Sequence, residues 1–428
     1  MMRATKDSGF EWIGIIPTEW ALSKIGQVYR LRNTKVSDTD YPPLSVTNKG
    51  IVPQLDTAAK TNAHDDRKLV KKGDFAINSR SDRRGSCGIS DFDGSVSLIN
   101  TILAPLNEMN PGYYDWLFHT VQFGDEFYKF GHGIVDDLWT TGWQEMKKIT
   151  IPTPPLPEQQ RIADFLDAKC AEIDALTADI QTQINTLEQY KRSVITETVT
   201  KGLNPATEMK DSGIDGAGVT PSHWKTTKLC YECYIRARLG WRGLKADEYV
   251  DEGYAFISAF NIQNGKLVWT PLNYITKERF DESPEIKLHS GDVLIVKDGA
   301  GVGKCARVDD LPTGGTAPNS SIAVITPSKN LDYRYVCYYL QSAVFNNFVL
   351  LLYNGMGVPH LTQEVMSKIK ILVLPLKEQM VISDYLDAKC TEIDAVVETK
   401  KSQLATLDEY KKSLIFEYVT GKKEVPLS

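Results

Sequence analysis

The chain has 428 residues, of which 42% are hydrophobic and 24% are charged, and its formal net charge is −6. This balance excludes collagen-like and intrinsically disordered chains, and the length predicts two or three domains. No run approaches the roughly 18 apolar residues of a membrane span, and the first residues lack the apolar core of a signal peptide. Seven cysteines, an odd number, indicate reduced thiols, so we expect a soluble, cytoplasmic protein.

Residues 1–154, which we call the first variable unit, are predicted to form a mixed α/β domain rich in strands. Short runs bounded by Gly, Asn and Asp predict strands at Phe75–Asn78 and Val96–Leu103. The aromatic run Tyr113–Phe118 predicts a helix, and we interpret its rings as part of a packed core rather than as base-stacking groups.

One stretch of this unit is strongly basic although the whole chain is acidic. Residues 67–84 contain seven Lys or Arg against two Asp, a local charge of +5. Lys and Arg neutralise DNA phosphates, and Arg forms paired hydrogen bonds with guanine edges. Alternatively, such a run forms a charged, solvent-exposed surface that binds no DNA. Our candidate DNA contacts in it are Lys71, Lys72, Arg80, Arg83 and Arg84.

A long helix is predicted from Pro157 to about Lys201. The segment has no Gly and no internal Pro, Pro157 suits the first turn, and Gly202 marks the end. Roughly 44 residues make a rod about 65 Å long. A heptad repeat indicates a coiled coil. One series is Leu166, Ile173, Ile180, Leu187 and Val194, and we predict a second at Ile162, Lys169, Leu176, Gln183 and Tyr190. Residues 156–200 have a net charge of −4, which favours spacing and docking over DNA contact.

The chain then repeats itself. Lys210–Gly213 duplicates Lys6–Gly9 at an offset of 204, and Pro375–Thr420 is identical to Pro155–Thr200 at 25 of 46 positions. A period above 200 residues indicates a duplicated pair of domains rather than a solenoid.

The second variable unit has its own strands, aromatic helix and basic stretch. Strands are predicted at Asp292–Lys297 and Ser321–Thr326, and a helix at Tyr333–Leu340. Residues 225–245 have a local charge of +5, and a glycine turn follows the strand that ends at Lys297. The candidate DNA contacts here are Arg236, Arg238, Arg242, Lys245, Lys297 and Lys304.

A second long helix begins after Pro375 and repeats both heptad series. The first is Leu386, Ile393, Lys400, Leu407 and Leu414, and the second is predicted at Ile382, Lys389, Val396, Gln403 and Tyr410. A long helix cannot bury its apolar stripe alone, and a duplicated chain with a whole unit between the copies favours antiparallel pairing. We therefore predict that the two helices pair with each other in opposite directions.

Motifs that would indicate chemistry are incomplete. The run Gly299–Lys304 lacks the first Gly of a P-loop and has Cys305 where Ser or Thr is required. Cys230 and Cys233 form a lone pair without a second ligand pair, so a zinc site is not favoured. No Asn or Asp precedes Pro-Pro-aromatic, the signature of an adenine methyltransferase. We predict neither a catalytic centre nor a metal site.

Several features together resemble the specificity subunits of type I restriction-modification systems, over essentially the full chain. They are Lys6–Gly14 (KDSGFEWIG) with Pro17 and Trp20, Pro155–Asp167 (PLPEQQRIADFLD) and its second copy, and Thr200–Pro205 (TKGLNP). One departure is that Ile214–Gly218 replaces Phe10–Gly14, which leaves the packing of this loop open.

The resemblance implies a mixed α/β (α+β) fold with two strand-rich target-recognition domains and two long antiparallel coiled-coil helices, duplicated about a pseudo-twofold axis. The implied segments are residues 1–154, first recognition domain; 155–203, first spacer helix; 204–374, second recognition domain; 375–422, second spacer helix; and 423–428, a C-terminal tail.

The resemblance also implies a function without catalysis by this chain. Members of the family read a bipartite site in double-stranded DNA, one half per domain, with a gap set by the helices. They dock two methylation subunits, and motor-nuclease subunits join the full complex. S-adenosylmethionine, ATP and Mg²⁺ are expected on those partners, and no cofactor on this chain. Because recognition domains vary among members, no base contact is transferred.

Two other classes of protein are weighed against this one. A fused restriction-methylation enzyme would modify DNA alone, and methylation by the purified chain with S-adenosylmethionine would reveal it. A coiled-coil scaffold would leave the basic stretches merely solvated, and a gel shift with the methylation partner present would separate it from a DNA reader.

Overall fold

The computed structural model describes residues 3–54, 64–80, 83–133, 139–237, 244, 246–299, 301–352 and 360–426. The chain divides into two compact units: unit 1 is Met1–Gln181 with Ser402–Ser428, and unit 2 is Thr182–Lys401. Each unit contains part of both long helices, so the units cut across the five consecutive segments implied by the sequence.

Unit 1 contains thirteen described strands, and its central element is an antiparallel sheet of four strands in the order β10-β9-β12-β4. A second sheet has the order β11-β8-β5, and the remaining pairs are β1-β2, β6-β7 and β3-β13. The strands are β1 Thr5–Asp7, β2 Ile15–Pro17, β3 Ala21–Lys24, β4 Tyr29–Leu31, β5 Lys35–Val36, β6 Leu44–Thr47, β7 Gly50–Pro53, β8 Arg67–Val70, β9 Phe75–Asn78, β10 Cys87–Ile89, β11 Gly94–Ser97, β12 Asn100–Pro105 and β13 Thr150–Thr153.

Five helices begin in this part of the chain. They are α1 Ile25–Val28, α2 Pro111–Phe118, α3 Val121–Lys129, α4 Trp143–Met146 and α5 Leu156–Lys201. Helix α2 starts after Asn110, whose side chain accepts a hydrogen bond from the N–H of Tyr113 (2.9 Å), as an N-cap should. Its aromatic rings are buried in the core of unit 1, which confirms their interpretation as core residues.

Unit 2 repeats the four-stranded sheet in the order β17-β25-β22-β23. Another sheet has the order β21-β18-β24, in which β18 and β24 are parallel, and the pairs are β14-β15, β16-β26 and β19-β20. The strands are β14 Met209–Asp211, β15 Val219–Pro221, β16 Lys225–Lys228, β17 Cys233–Ala237, β18 Tyr254–Ile257, β19 Ile262–Gln263, β20 Lys266–Leu267, β21 Asn273–Ile275, β22 Val293–Val296, β23 Cys305–Arg307, β24 Thr316–Pro318, β25 Ile322–Pro327 and β26 Lys370–Val373.

Five of the six helices described in the second half of the chain correspond to those of the first half, and α7 is additional. They are α6 Leu229–Glu232, α7 Lys277–Asp281, α8 Tyr333–Gln341, α9 Ala343–Leu352, α10 Gln363–Ser367 and α11 Leu376–Val419, and three short 3₁₀ turns lie at Ala246–Glu248, Ala259–Asn261 and Pro284–Ile286. Among the described residues no single helix is long and apolar enough to cross a membrane, although α8 and α9, bent by 56° at their junction, together have the length and composition of one.

The predicted strands and short helices are found, with one correction. The run Val96–Leu103 is not one strand, because a turn at Leu98 and Ile99 separates β11 from β12. The two strands join different sheets, so this turn carries the chain from one sheet to the other.

The two long helices pair antiparallel within each unit. In unit 1, Phe165 stacks against Tyr418 with ring centroids 4.5 Å apart, and further along α5 the carboxylate of Asp174 accepts a bond from Lys411. In unit 2, Lys191 contacts Asp394 at 2.6 Å, and earlier in α5 Gln183 accepts a bond from Lys400. Positions that advance along α5 therefore meet positions that recede along α11, as predicted.

The helix seam, meaning the residues through which α5 and α11 face each other, agrees with one predicted heptad series. Its buried members are Leu166, Ile173, Ile180, Leu386, Ile393 and Leu414, and Leu187 and Leu407 are half-buried. Each of these residues lies on the paired faces.

The second predicted series is correct only in part. Ile162 and Ile382 are buried and Gln183 bonds Lys400, whereas Lys169 is exposed, and Leu176 and Tyr190 are 47% and 49% exposed. Along most of the pair a partner series follows the first by four residues, at Cys170, Thr177, Ile184 and Lys191 in α5 and at Cys390, Val397, Leu404, Lys411 and Tyr418 in α11. Hydrophobicity pointed to Leu176 and Tyr190, whereas the seam at these levels contains Thr177 and Lys191.

Candidate nucleic-acid interface

A β-hairpin in each unit presents basic residues at one end. In unit 1 the hairpin consists of β9 and β10, with Asp74 and Ser90 at its base and residues 79, 80 and 83–86 at the other end. In unit 2 it consists of β22 and β23, with Asp292 and Val308 at its base and residues 297–299 and 301–304 at the other end. We call the first set of end residues tip 1 and the second set tip 2.

The base of the unit 1 hairpin is braced by a buried ion pair. Arg32 on β4 donates two hydrogen bonds to the carboxylate of Asp74, at 2.5 and 3.0 Å. Asp74, 2% exposed, also accepts the backbone N–H of Lys71 at 2.9 Å. The hydrogen bond to Asp74 raises the pKa of Arg32. A buried charge pair with its lone pairs satisfied fixes the geometry of the turn that enters β9.

The corresponding brace in unit 2 contains Arg236, which the sequence suggested as a DNA contact. Its guanidinium donates to Asp292 at 2.8 Å and bonds the hydroxyl of Thr326, and its side chain is only 8% exposed. Asp292 in turn accepts the backbone N–H of His289 at 2.8 Å. Arg236 is therefore buried beneath the surface and holds the hairpin base, so the predicted role as an exposed DNA contact does not fit it.

The basic stretch 67–84 does not form one patch. Arg67 is 5% exposed and bonds Ser95, and burial lowers its pKa. Lys68 is half-buried and donates to the carbonyl of Asn100 at 2.7 Å. The exposed Lys71 and Lys72 lie at the hairpin base, whereas the arginines lie at the tip, about 13 Å away along a strand of four residues.

Tip 1 carries the arginines predicted from the sequence. Arg84 is exposed, pairs with Asp125 at 2.9 Å and lies over the ring of Tyr128 at 5.0 Å from its centroid. The Tyr128 hydroxyl donates to the carbonyl of Arg80 at 3.0 Å, so this ring supports both ends of the tip. Arg83 is exposed and Arg80 is half-buried.

Tip 2 combines cations with a carboxylate and a histidine. Asp298 accepts bonds from Lys297 at 2.8 Å and from His360 at 2.6 Å. Burial acts to raise the pKa of Asp298, but these two bonds and the adjacent charges lower it overall. The exposed Lys304 closes the tip. Three other candidates, Arg238, Arg242 and Lys245, lie outside the described residues.

A cleft of about 1030 Å³ in unit 2 connects tip 2 to the helix pair. It is lined by five cations and three carboxylates, of which Lys191 pairs with Asp394 and Lys401 with Glu398. The other cations of the lining are Arg192, Lys266 and Lys304. Sequence reasoning missed Lys266, although it follows Asn264-Gly265, a dipeptide typical of tight hairpin turns, and Asn264 has a φ of 48°.

Carboxylates on the long helices, one buried and two half-buried, join each recognition domain to the helices, and none of them was predicted. Glu158 accepts the indole N–H of Trp20 at 2.9 Å in unit 1, and Glu378 accepts that of Trp224 at 3.1 Å in unit 2. Asp387 of α11 binds a cluster in unit 2, made of Tyr338 at 2.7 Å, Arg307 at 2.5 Å and Arg334 at 3.0 Å. Burial acts to raise the pKa of Asp387, but these bonds lower it overall.

The described residues contain no cluster of three His, Cys, Asp or Glu side chains that could hold a metal ion. Cys230 donates to the carbonyl of Ser367 at 3.3 Å, and Cys233 is buried with its pKa raised to about 12 by burial. A thiol in that environment stays protonated at neutral pH.

Comparison with known proteins identifies the family. The model of the type I restriction modification DNA specificity domain matches residues 17–186 and 240–406. The chain is 25% identical over 343 residues to the specificity subunit of the type I restriction enzyme MjaVIII from Methanocaldococcus jannaschii, which covers 78% of this chain and 76% of that protein. It is 24% identical over 210 residues to the EcoKI specificity subunit from Escherichia coli, covering 48% of this chain and 44% of that one.

Solved structures share the fold. One, from work on complex assembly and conformational transition of the type I R-M system, has a TM-score of 0.73 at 17% identity, covering 95% of this chain and 99% of that chain. The HsdS subunit from Thermoanaerobacter tengcongensis has a TM-score of 0.51 at 17% identity, covering 97% and 100%.

Proposed function

The chain belongs to the family of type I restriction-modification DNA specificity domains, and on this premise we propose that it is the non-catalytic subunit that reads a bipartite DNA site. Tip 1 and tip 2 each contact one half of the site. The observation that carries the proposal is the duplication of a braced hairpin whose free end displays cations in both units.

A hairpin is a suitable reading element for duplex DNA. The major groove, about 12 Å wide, admits a two-stranded β-ribbon, and bases are distinguished there by their hydrogen-bonding edges. At tip 1, Arg83 and Arg84 supply phosphate or guanine contacts, and at tip 2 Lys297 and Lys304 supply phosphate contacts. The exposed Lys71 and Lys72 at the hairpin base contact the backbone of the same duplex.

The long helices supply the second part of the proposed function. Because they pair antiparallel and carry net negative charge, they suit spacing and protein docking rather than DNA contact. We propose that they set the gap between the half-sites and dock two methylation subunits, which bind S-adenosylmethionine. Motor-nuclease subunits that use ATP and Mg²⁺ complete the restriction complex.

The test is to express this chain with its methylation subunits in a host lacking other methylases and to map methylated adenines. We expect a two-part motif with a fixed gap, and an Arg83→Glu, Arg84→Glu variant should lose or relax only one half of it. Arg161→Glu with Lys169→Glu, the same total charge change at two exposed positions of α5, serves as the control. A single contiguous motif would overturn the bipartite reading, and methylation by this chain alone would overturn the non-catalytic role.

A further inference from the structure

A cavity of about 730 Å³ in unit 2 lies outside the candidate DNA interface. Its walls come from the loop Ile214–Gly216, from α8 and α9, and from residues 368–370 beside β26. Most of its exposed lining is apolar, with Phe345 and Phe348 stacked at 6.2 Å between ring centroids. Nothing in the proposed DNA-reading role uses this cavity.

Unit 1 shows what fills the equivalent position. The two KDSG loops have the same backbone bonds: Ser8 N–H to Gly14 in unit 1 and Ser212 N–H to Gly218 in unit 2, both 3.0 Å. At this offset of 204, Gly216 is the counterpart of Trp12. Trp12 is buried, 7% exposed, and packs edge to face against Phe123 at 6.0 Å.

The helical walls correspond as well. Thr120 and Ser342 occupy equivalent positions immediately before α3 and α9, which makes Phe345 the counterpart of Phe123. The cavity in unit 2 therefore corresponds to the space that the Trp12 indole fills in unit 1. It is open because unit 2 has glycine at the equivalent position.

One wall of the cavity is an aromatic ring that unit 1 lacks. Tyr339 lines the cavity, is 1% exposed, and stands where unit 1 has Leu117. Its hydroxyl is buried away from the solvent that fills the cavity, so a ligand there contacts the ring rather than the oxygen. The ring adds aromatic surface against which an indole packs.

The rim of the cavity adds exposed apolar side chains, so the apolar surface is larger than one indole ring. Charged side chains also border the cavity. Leu350 and Leu351 on α9 are 60% and 63% exposed, where α3 has Tyr128 and Lys129. The charged groups of the cavity lining are Asp215, Lys368 and Lys370, of which Lys368 pairs with Glu364 at 2.6 Å. Lys370, which replaces Thr150 of unit 1, donates to the neutral carbonyl of Gly213 at 2.7 Å.

We propose that this cavity, here called the indole site, binds a tryptophan side chain presented by a partner polypeptide, with an adjacent carboxylate facing Lys370. The peptide chain beside that tryptophan covers Leu350 and Leu351. Only the tryptophan side chain corresponds to Trp12, because Asp215, Gly216 and Ala217 already occupy the backbone positions of Glu11, Trp12 and Ile13. The inference is independent of DNA reading, because it uses neither hairpin tip.

The test uses a peptide with the sequence of residues 9–14 and an N-terminal trifluoroacetyl group, observed by ¹⁹F NMR with the full chain. We expect the peptide to bind, and a matched peptide with serine in place of tryptophan to bind at least tenfold more weakly. Tyr339→Phe, which removes only the buried hydroxyl and keeps the ring, is a control and should leave binding within about twofold.

Two surface variants locate the binding. Leu351→Lys, alone and with Phe348→Glu, copies the polar residues of α3 and should weaken peptide binding at least tenfold. The single variant keeps the test valid if the double variant does not fold. Lys129→Ala on α3 is the matched control and should leave binding unchanged.

Three results would overturn the proposal. They are equal binding of the serine peptide, unchanged binding by Leu351→Lys, and binding of free indole as tight as that of the peptide, since the last would identify a small aromatic molecule as the ligand. DNA methylation by each variant co-expressed with the methylation subunits is measured in parallel, so failure of the indole site is distinguishable from failure of the DNA-reading role.

Discussion

Truncation of Leu166 and of Leu176 tests the corrected helix seam directly. Leu166 is fully buried between α5 and the core of unit 1, whereas Leu176, ten residues further along the same helix, is 47% exposed. Leu→Ala at a fully buried site costs about 3 kcal/mol, and a surface substitution stays within about 0.5 kcal/mol. For a unit of about 200 residues, the first change lowers Tm by about 6–12 °C and the second by less than about 2 °C.

Differential scanning calorimetry of the two variants, followed by urea titration, provides the measurement. Leu386→Ala and Val396→Ala form the matching pair on α11 in unit 2, where the side chains are buried and 42% exposed. Each exposed-site variant removes the same number of side-chain carbons as its buried partner or fewer. The difference in Tm within each pair therefore reports mainly whether the side chain lies in the seam. Equal destabilisation by Leu166→Ala and Leu176→Ala would refute the corrected register and restore the one predicted from hydrophobicity.

Three further predictions concern the DNA contact, a half-buried carboxylate and the indole pocket of unit 1. Arg83→Glu with Arg84→Glu should reduce the salt slope of DNA binding by about 1.8 if each contacts a phosphate, measured by fluorescence anisotropy of the methyltransferase complex, and an unchanged slope would discard both contacts. Asp387→Asn should lower the free energy of unfolding by about 1–2 kcal/mol at pH 7, measured by urea titration. Because the folded-state pKa of Asp387 is lowered, its stabilisation is present above the unfolded pKa and should vanish as pH falls through the folded pKa. A stability difference between variant and wild type that persists at lower pH would contradict the ion-pair account. Trp12→Ala should cost about 3–5 kcal/mol, and millimolar indole should raise the Tm of this variant more than that of the wild type; an equal rise would show that the vacated pocket does not take the ring.

Much of the fold was predictable because its signals are local or repeated. The seven-residue spacing from Leu166, the stop at Gly202 and the duplicated segments predicted two long helices and their antiparallel pairing. The second heptad series failed at Leu176 and Tyr190 because the seam residues beside them, Thr177 and Lys191, are not hydrophobic, and their burial depends on the partner helix rather than on their own chemistry.

The candidate site was harder to predict because charge composition does not reveal burial. Arg236 counted toward a basic surface, but its partner Asp292 lies 56 residues away and the pair forms only in the folded sheet. A signal was present nevertheless: Arg32 recurs as Arg236 among residues that differ, and Gly73-Asp74 recurs as Gly291-Asp292. Retention of an Arg and an Asp in both halves indicates an ion pair rather than two independent surface charges.

The separation of brace and tip within each hairpin has an evolutionary consequence. Stability resides in the ion pair at one end, whereas the exposed residues at the other end contribute little to folding. Mutations can therefore accumulate at residues 83, 84 or 304 without a stability penalty, and selection is free to test new combinations there. Such a scaffold is evolvable: lineages can diversify what they recognise while inheriting the same framework unchanged.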